Sequence, residues 1–168
     1  MIVIALGANL SSAVGAPRET LSAAVEKLAQ SGVEIAAVSP FYTSEAWPDP
    51  TDPPFVNAAA IVRTELSPSA LLAKLHAVEM SFGRIRSTPN APRSIDLDLI
   101  DYDGRVEEGP PVLPHPRMHS RAFVLVPLAK VAPEWRHPVS GKTVEDMIAE
   151  LPRETGGISE LRVFGRAP

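Results

Sequence analysis

The sequence predicts an α+β protein with the element order β-α-β-β-α-β, followed by helical additions. Short apolar runs with a two-residue period indicate the strands, and apolar side chains spaced three or four residues apart indicate the helices. The chain has 168 residues, 45% of them hydrophobic, which is enough for a domain with its own core. We therefore expect residues 1–168 to form a single domain.

The ends of the elements carry their own signals. Pro17 and Pro68 suit the first turn of a helix, and Gly32 and Gly83 suit the residue that follows one. Gly7–Leu10 reads as a turn after the first apolar run. In chain order the predicted elements are strand Ile2–Leu6, a helix between Pro17 and Gly32, strand Val33–Tyr42, strand Phe55–Val62, a helix between Pro68 and Gly83, and strand Arg93–Tyr102. This order is typical of a ferredoxin-like sandwich.

The helical additions follow the last of these strands. Arg121–Val131 reads as a short apolar helix or a helical turn, broken near Pro127, and Thr143 is placed to cap a final helix. A proline-rich loop, Pro110–Pro116, precedes both of them. The tail at Glu160–Phe164 is a candidate edge strand.

Composition disfavours several classes of function. The net charge is −4 at pH 7 and no basic block occurs, which argues against nucleic acid as a partner. No apolar run approaches the ~20 residues of a membrane span. Met1–Leu6 is too short for a signal peptide and lacks a basic start. Without cysteine the chain has no disulfide or thiol nucleophile. We expect a cytoplasmic protein with neither a membrane nor a nucleic-acid partner.

Two carboxylates stand on the last predicted strand. Alternation places Asp96 and Asp98 on one face, about 6.6–6.8 Å apart along the strand, and Ile100 follows on the same face. Hard oxygen ligands at this spacing suit one or two divalent cations, Mg²⁺ in particular where it also holds phosphate oxygens. The alternative is that both carboxylates are solvated and bind nothing.

Basic side chains cluster in the loops beside that strand. Guanidinium groups match phosphate oxygens and a polyphosphate requires several of them, although one or two here are expected to be ordinary surface residues. His115 lies between two prolines that fix its direction, so it is placed to hydrogen-bond a phosphate. The arginines are Arg84, Arg86, Arg93, Arg117 and Arg121.

Phe55 and Phe123 flank polar features, and two aromatic rings that face a gap can stack a flat heterocycle. Asn57 follows Phe55 on the same face and can both donate and accept at a ring edge. Either phenylalanine taken alone is better read as a core residue. The sequence contains neither a Gly-x-x-x-x-Gly-Lys-Ser/Thr nor a Gly-x-Gly-x-x-Gly motif, so metal and arginines must hold any nucleotide.

Taken together, these segments resemble the 6-hydroxymethyl-7,8-dihydropterin pyrophosphokinases of folate biosynthesis. The resemblance covers about Ile2–Leu151, and its Arg-x-x-Asp-x-Asp and Pro-His-x-x-Met segments are specific in combination. The chain departs from the usual pattern at residues 87–91, which lack a tryptophan, at Glu45–Trp47 and at Pro116. The matching segments are Gly7–Leu10, Ser39–Tyr42, Phe55–Ala59, Glu79, Gly83–Arg84, Pro92–Asp98, Pro114–Met118, Arg121–Leu125 and Pro127–Leu128.

The resemblance implies a ferredoxin-like fold and transfer of the diphosphoryl group of ATP to the hydroxymethyl oxygen of the pterin, with release of AMP. It implies two Mg²⁺ ions on Asp96 and Asp98, with Arg84 and Arg93 acting in catalysis. The residues implied to bind ATP are Glu79, Arg84, Arg93, His115 and Arg121. Those implied to bind the pterin are Ser44, Glu45, Ala46, Phe55, Asn57, Asp96 and Phe123. We expect the chain to act as a monomer, with ATP and 6-hydroxymethyl-7,8-dihydropterin as its ligands.

Two other functions stay open at this point. A Mg²⁺-dependent nucleotide hydrolase would use the same aspartates to activate water and would not need Phe55, Asn57 or Phe123. A ferredoxin-like ligand-sensing module would leave the aspartates and the arginines unexplained.

Overall fold

The computed structural model describes residues 1–46, 49–84 and 92–152. Five strands and four α-helices form in these ranges. The elements are β1 (Ile2–Ala8), α1 (Pro17–Gln30), β2 (Glu34–Val38), β3 (Tyr42–Ser44), β4 (Phe55–Arg63), α2 (Pro68–Ser81), β5 (Asp96–Tyr102), a 3₁₀ turn (Met118–Ser120), α3 (Ala122–Val131) and α4 (Val144–Glu150). The predicted tail strand, Glu160–Phe164, and residues 85–91 lie outside the described ranges. Among the described helices, none has both the length and the apolar character needed to cross a membrane.

The strands form a sheet in the order β2-β4-β1-β5, and every pairing is antiparallel. The short strand β3 pairs with the beginning of β4, next to the position of β2. Helix α1 connects β1 to β2 across the place that β4 fills, and α2 connects β4 to β5 across β1. The predicted α+β class and ferredoxin-like order are therefore confirmed, and β1 and β4 are the central strands.

Each face of the sheet carries its own core. On one face, Leu21 and Leu28 of α1 and Leu75 of α2 pack with Leu6 and Leu97 of the sheet, all of them at most 2% exposed. On the other face, side chains of α3 and α4 pack against Val3, Ala59 and Ile100. The apolar stripes of the helices and the alternation of the strands account for both layers.

The observed strands differ from the predicted ones at several ends: β5 begins at Asp96 instead of Arg93, and β4 ends one residue later, at Arg63. β1 does not end at Leu6 but continues through Gly7 and Ala8, because both residues still pair with β4. The predicted strand Val33–Tyr42 is two strands, β2 and β3, separated at residues 39–41. Pro40 has no N–H for the ladder, and the Ser39 hydroxyl accepts from the Ala59 N–H at 3.0 Å in place of a backbone carbonyl.

The C-terminal helices form as predicted at their starts. Thr143 caps α4 in a capping box with Asp146. The predicted break at Pro127 is wrong, because α3 runs from Ala122 to Val131 with Pro127 inside it. Pro127 lies in the second turn, so the only helical bond it removes is the one to the Phe123 carbonyl. Burial of α3 against the sheet stabilises the helix in spite of that loss.

Candidate active site

Predicted site residues from two strands, β4 and β5, lie in one row across the sheet, with Gly7 of β1 between them. Gly7 of β1 lies opposite Asn57 of β4 on one side and opposite Asp96 of β5 on the other. Two residues along β1, on the same face, Ala5 lies opposite Asp98. Cross-strand partners project from the same face, so Asn57 and both aspartates lie on the face that α3 and α4 partly cover.

This end of the face is open above its floor. Helix α3 begins only at Ala122, and Gly7 and Ala5 are half-exposed, whereas Ala59 and Ile100 further along the face are buried. The floor between the two aspartates and Asn57 is thus made of very small residues. Such a surface leaves room for a ligand above the sheet.

Asp96 is the centre of an ion-pair network. Arg84 Nη1 donates to Asp96 Oδ1 and, at 3.0 Å, to the Ile95 carbonyl. Arg93 Nη1 donates to Asp96 Oδ2 at 2.7 Å. The Arg84 side chain is 12% exposed and the Arg93 side chain 24%, so water screens these charges only in part. Two guanidinium groups therefore hold and neutralise Asp96.

Glu79, one of the residues predicted to bind ATP, is buried beneath Arg84. Its side chain on α2 is 1% exposed, and its Oε1 accepts from Arg84 at 2.5 Å and from the Leu97 N–H at 2.8 Å. A buried carboxylate requires such partners. Glu79 thus ties the Arg84 guanidinium and the first residues of β5 to helix α2.

Asn9 is a site residue that the sequence reasoning missed. It is 3% exposed, its Oδ1 accepts from the Arg93 N–H at 2.8 Å, and its Nδ2 donates to the Pro53 carbonyl at 3.0 Å. Its own N–H donates to the Arg93 carbonyl at 3.0 Å. Asn9 thus fixes the backbone of Arg93 relative to the loop before Phe55. The sequence could have indicated this role, because Asn9 directly follows a strand that ends in glycine and alanine.

His115, Asp98 and Arg121 form the second charged group of the site. The His115 N–H donates to the Ile100 carbonyl at 2.8 Å, which fastens the proline-rich loop to β5. Burial raises the pKa of Asp98, and the Asp96 carboxylate raises it further. Burial lowers the pKa of His115, and the neighbouring arginines add to this in spite of Asp98. Arg121 lies 3.9 Å from Asp98, too far for a direct hydrogen bond.

The protonation of His115 can be assigned from its partners. Its Nδ1 accepts from the Arg117 N–H at 3.2 Å, so in the neutral ring the proton is on Nε2. With its pKa lowered, the ring is neutral near pH 7. His115 therefore offers one Nε2–H donor on the Asp98 side of the site.

Both aromatic faces of the expected sandwich carry an arginine. The Arg93 guanidinium carbon lies 5.6 Å from the centre of the Phe55 ring, and that of Arg121 lies 5.4 Å from the centre of the Phe123 ring. Such cation–π contacts contribute about 0.5–1 kcal/mol at exposed sites. Each ring thus has an arginine side chain over one face, and each of these arginines also faces an aspartate of the site.

The polar edge of the site is formed by β3 and β4. Asn57 is 3% exposed, and its Nδ2 donates to the Ser44 hydroxyl at 3.0 Å. Ser44 lies opposite Phe55 in the β3–β4 pairing. Beyond Ser44, Glu45 is exposed and Ala46 is buried. The structure therefore brings Ser44, Asn57 and Phe55 together.

A cleft of about 350 Å³ opens beside Asp98. Two predicted site residues, Asp98 and His115, line it, and part of its apolar wall comes from the proline-rich loop Pro110–Pro116. At this volume it falls within the range of small-molecule sites. Its lining residues are Leu72, Asp98, Leu99, Glu108, Pro110, Pro111, Val112, His115 and Pro116.

The fold is that of a ferredoxin-like α+β protein, and its candidate active site, on an open end of the sheet, combines a carboxylate pair, arginines and a neighbouring apolar cleft. Residues 3–133 match the family model 7,8-dihydro-6-hydroxymethylpterin-pyrophosphokinase. The chain belongs to this family.

Proteins named 2-amino-4-hydroxy-6-hydroxymethyldihydropteridine pyrophosphokinase are similar to it. The one from Synechocystis sp. is 42% identical over 89% of this chain and 75% of its own length. The one from Methylorubrum extorquens is 40% identical over 85% of this chain and 90% of its own length. The one from Pseudomonas aeruginosa is 38% identical over 95% of this chain and 96% of its own length. The chain therefore catalyses the pyrophosphokinase step of folate biosynthesis.

Proposed function

We propose that the reaction, transfer of diphosphate from ATP to 6-hydroxymethyl-7,8-dihydropterin, takes place over the row that joins Asn57, Gly7 and Asp96. This row is the observation that carries the assignment of sites, because it puts a ring-edge partner and a carboxylate on one open face. The pterin lies on the Asn57 side and the phosphates lie on the Asp96 and Asp98 side.

Asp96 and Asp98 are the proposed ligands of two Mg²⁺ ions. The donor set fits this ion, since both groups offer carboxylate oxygens on one face of a strand. In the described ranges, no group of three or more acidic, histidine or cysteine side chains is arranged so that it could hold a metal ion. Phosphate oxygens and water would then complete the coordination, as is usual for Mg²⁺ with nucleotides. When bound, the metal neutralises phosphate charge and aligns the reacting groups.

Arg84, Arg93, Arg121 and His115 are the proposed phosphate ligands. The three arginines face the aspartates in the ligand-free protein, and a divalent cation on those aspartates would free their guanidinium groups for phosphate oxygens. The Arg93 Nε atom is buried and, among the described residues, has no hydrogen-bond partner. Its N–H is therefore a donor that a phosphate oxygen could satisfy. Glu79 would contribute to ATP binding by holding Arg84.

The nucleoside of ATP is proposed to occupy the apolar cleft. Asp98 and His115 stand among its lining residues, while Leu72 and Val112 provide apolar walls. A nucleoside in the cleft would direct its phosphates toward the aspartates. This arrangement leaves the floor over Gly7 free for the second substrate.

The pterin is proposed to stack between Phe55 and Phe123 after Arg93 and Arg121 turn toward the phosphates. Asn57 would answer the donors and acceptors of its edge, assisted by Ser44 and by the backbone of Glu45–Ala46. The Asn57–Ser44 bond supports this role, because it holds the amide in a fixed orientation.

The chemistry then requires position and charge rather than a general base. The hydroxymethyl oxygen attacks the β-phosphorus and the bond from that phosphorus to the α,β-bridging oxygen breaks, so AMP leaves and the hydroxyl proton passes to solvent. Arg84 and Arg93 would stabilise the charge that develops on the transferred group.

We also propose that a monomer suffices, that residues 1–168 are one pyrophosphokinase domain, and that the reaction occurs in the cytoplasm, where ATP is supplied.

Calorimetry with a Phe123→Ala variant tests this assignment. Loss of one stacking face should weaken binding of the pterin at least about tenfold, which is 1.4 kcal/mol, while binding of Mg²⁺ with a non-hydrolysable ATP analogue stays within about twofold. Val139→Ala, at an exposed position remote from the site residues in sequence, is the control. Equal losses for both ligands would refute the two-sided arrangement.

A further inference from the structure

Gly7 occupies the middle of the row that joins Asn57 to Asp96. It belongs to the central strand β1, where a glycine loses more conformational freedom on folding than other residues and offers no side chain to pack. The neighbouring position on the same face, Ala5, carries a methyl group. A glycine at this place therefore calls for a reason.

The fold supplies no such reason. The backbone of Gly7 is not in the left-handed region, where glycine is favoured. A Cβ built on Gly7 meets, among the described residues, Asn57 Oδ1 as its nearest neighbour at 3.4 Å, which is an ordinary van der Waals contact. The protein by itself could hold an alanine there, and the half-exposed Gly7 faces the open end of the sheet, where a ligand can lie.

We propose that Gly7 determines substrate size and shape by keeping the floor bare where the pterin crosses β1. The inference rests on the proposed placement of the pterin. Antiparallel strands are about 4.7–4.9 Å apart, so Asn57 and Asp96 stand two strand spacings apart with Gly7 midway. That span matches two fused six-membered rings with a one-carbon arm. A ring whose edge meets Asn57 and whose hydroxymethyl group reaches the phosphates beside Asp96 must pass over Gly7.

The Cβ of an alanine at position 7 would stand against the edge of the ring that faces the sheet, since Phe55 and Phe123 are proposed to take its two faces. It would push the ring away from the sheet, and the hydrogen bonds to Asn57 and the stacking distances would be lost together. The phosphates lie over Asp96 and Asp98, outside its reach. Gly7 thus acts on the pterin alone.

The test is calorimetry on Gly7→Ala with two ligands, 6-hydroxymethyl-7,8-dihydropterin in the presence of Mg²⁺ and a non-hydrolysable ATP analogue, and that analogue alone. We expect pterin affinity to fall on the order of tenfold to a hundredfold, the usual scale of an added methyl in a filled space. Affinity for the analogue should stay within about twofold, and the melting temperature should hold or rise. Gly109→Ala is the matched control, since Gly109 also has space for a Cβ and lies outside the left-handed region.

Each outcome decides the matter. Unchanged pterin affinity in Gly7→Ala, with tight binding to the wild type, overturns the role of Gly7 and leaves the proposed function standing. A parallel loss of pterin, analogue and thermal stability also overturns it, because Gly7 would then be a structural residue. Failure of the wild type to bind the pterin refutes the proposed function itself.

Discussion

Replacing Asp96 and Asp98 singly by asparagine should affect the metal-free protein in different ways. Asp96 accepts hydrogen bonds from both Arg84 and Arg93, and its side chain is 22% exposed. Asparagine keeps one acceptor oxygen and turns an NH₂ group toward the other guanidinium. One charge-assisted bond is lost and the other is weakened. At the lower end of about 1.5–3 kcal/mol for such a bond, we expect Asp96→Asn to lose about 1.5–2 kcal/mol of unfolding free energy.

Asp98 is in the opposite situation. Among the described residues its nearest ion-pair partner, Arg121, is 3.9 Å away, and partial burial and the charge of Asp96 raise the pKa of Asp98. A raised carboxyl pKa means that the fold disfavours the ionised form near neutral pH. Asp98→Asn should therefore leave the stability of the metal-free protein unchanged or increase it.

Thermal unfolding followed by circular dichroism at pH 7 in EDTA separates the two effects. At roughly 2–4 °C per kcal/mol for a chain of this size, Asp96→Asn should melt about 3–8 °C below the wild type. Mg²⁺ with a non-hydrolysable ATP analogue should raise the melting temperature of the wild type, and both variants should lose most of that increase. Equal destabilisation of the two variants, or full ligand-dependent stabilisation of either, would refute the reasoning.

Three further predictions concern groups behind the site. Asn9→Ala leaves the Arg93 N–H and the Pro53 carbonyl without their partner, which costs about 1–3 kcal/mol for each group where it is buried. Urea unfolding should therefore show a loss of unfolding free energy on the order of 2–4 kcal/mol, and KM should rise for both substrates. Unchanged KM values would contradict the positioning role of Asn9. Asn9→Asp keeps the oxygen that accepts from the Arg93 N–H, so its loss of unfolding free energy and its rise in KM should both be smaller than those of Asn9→Ala. Burial raises the pKa of Asp101, so the fold favours its protonated form. The unfolding free energy of the wild type, compared with that of Asp101→Asn, should therefore fall as pH rises from about 4 to 7. A difference in unfolding free energy that stays constant with pH in urea titrations would contradict this prediction.

The periodicity of the sequence determined most of the secondary structure. The apolar stripes of α1 and α2 begin at Pro17 and Pro68 as predicted, because proline favours that position whatever the rest of the fold does. Alternation along β5 put Asp96 and Asp98 on one face before any strand order was known. These features depend on residues close together in the chain.

Tertiary structure decided everything that depends on pairing between distant segments. Gly7 and Asp96 are neighbours only because β5 returns beside β1, and Asn57 joins them only because β4 fills the gap between β1 and β2. Local preference predicted that β1 ends before Gly7, whereas in the structure Gly7 pairs with both β4 and β5 and the strand continues through it. Burial likewise kept α3 intact at Pro127 and placed Glu79 under Arg84, since packing free energy outweighs local preference there.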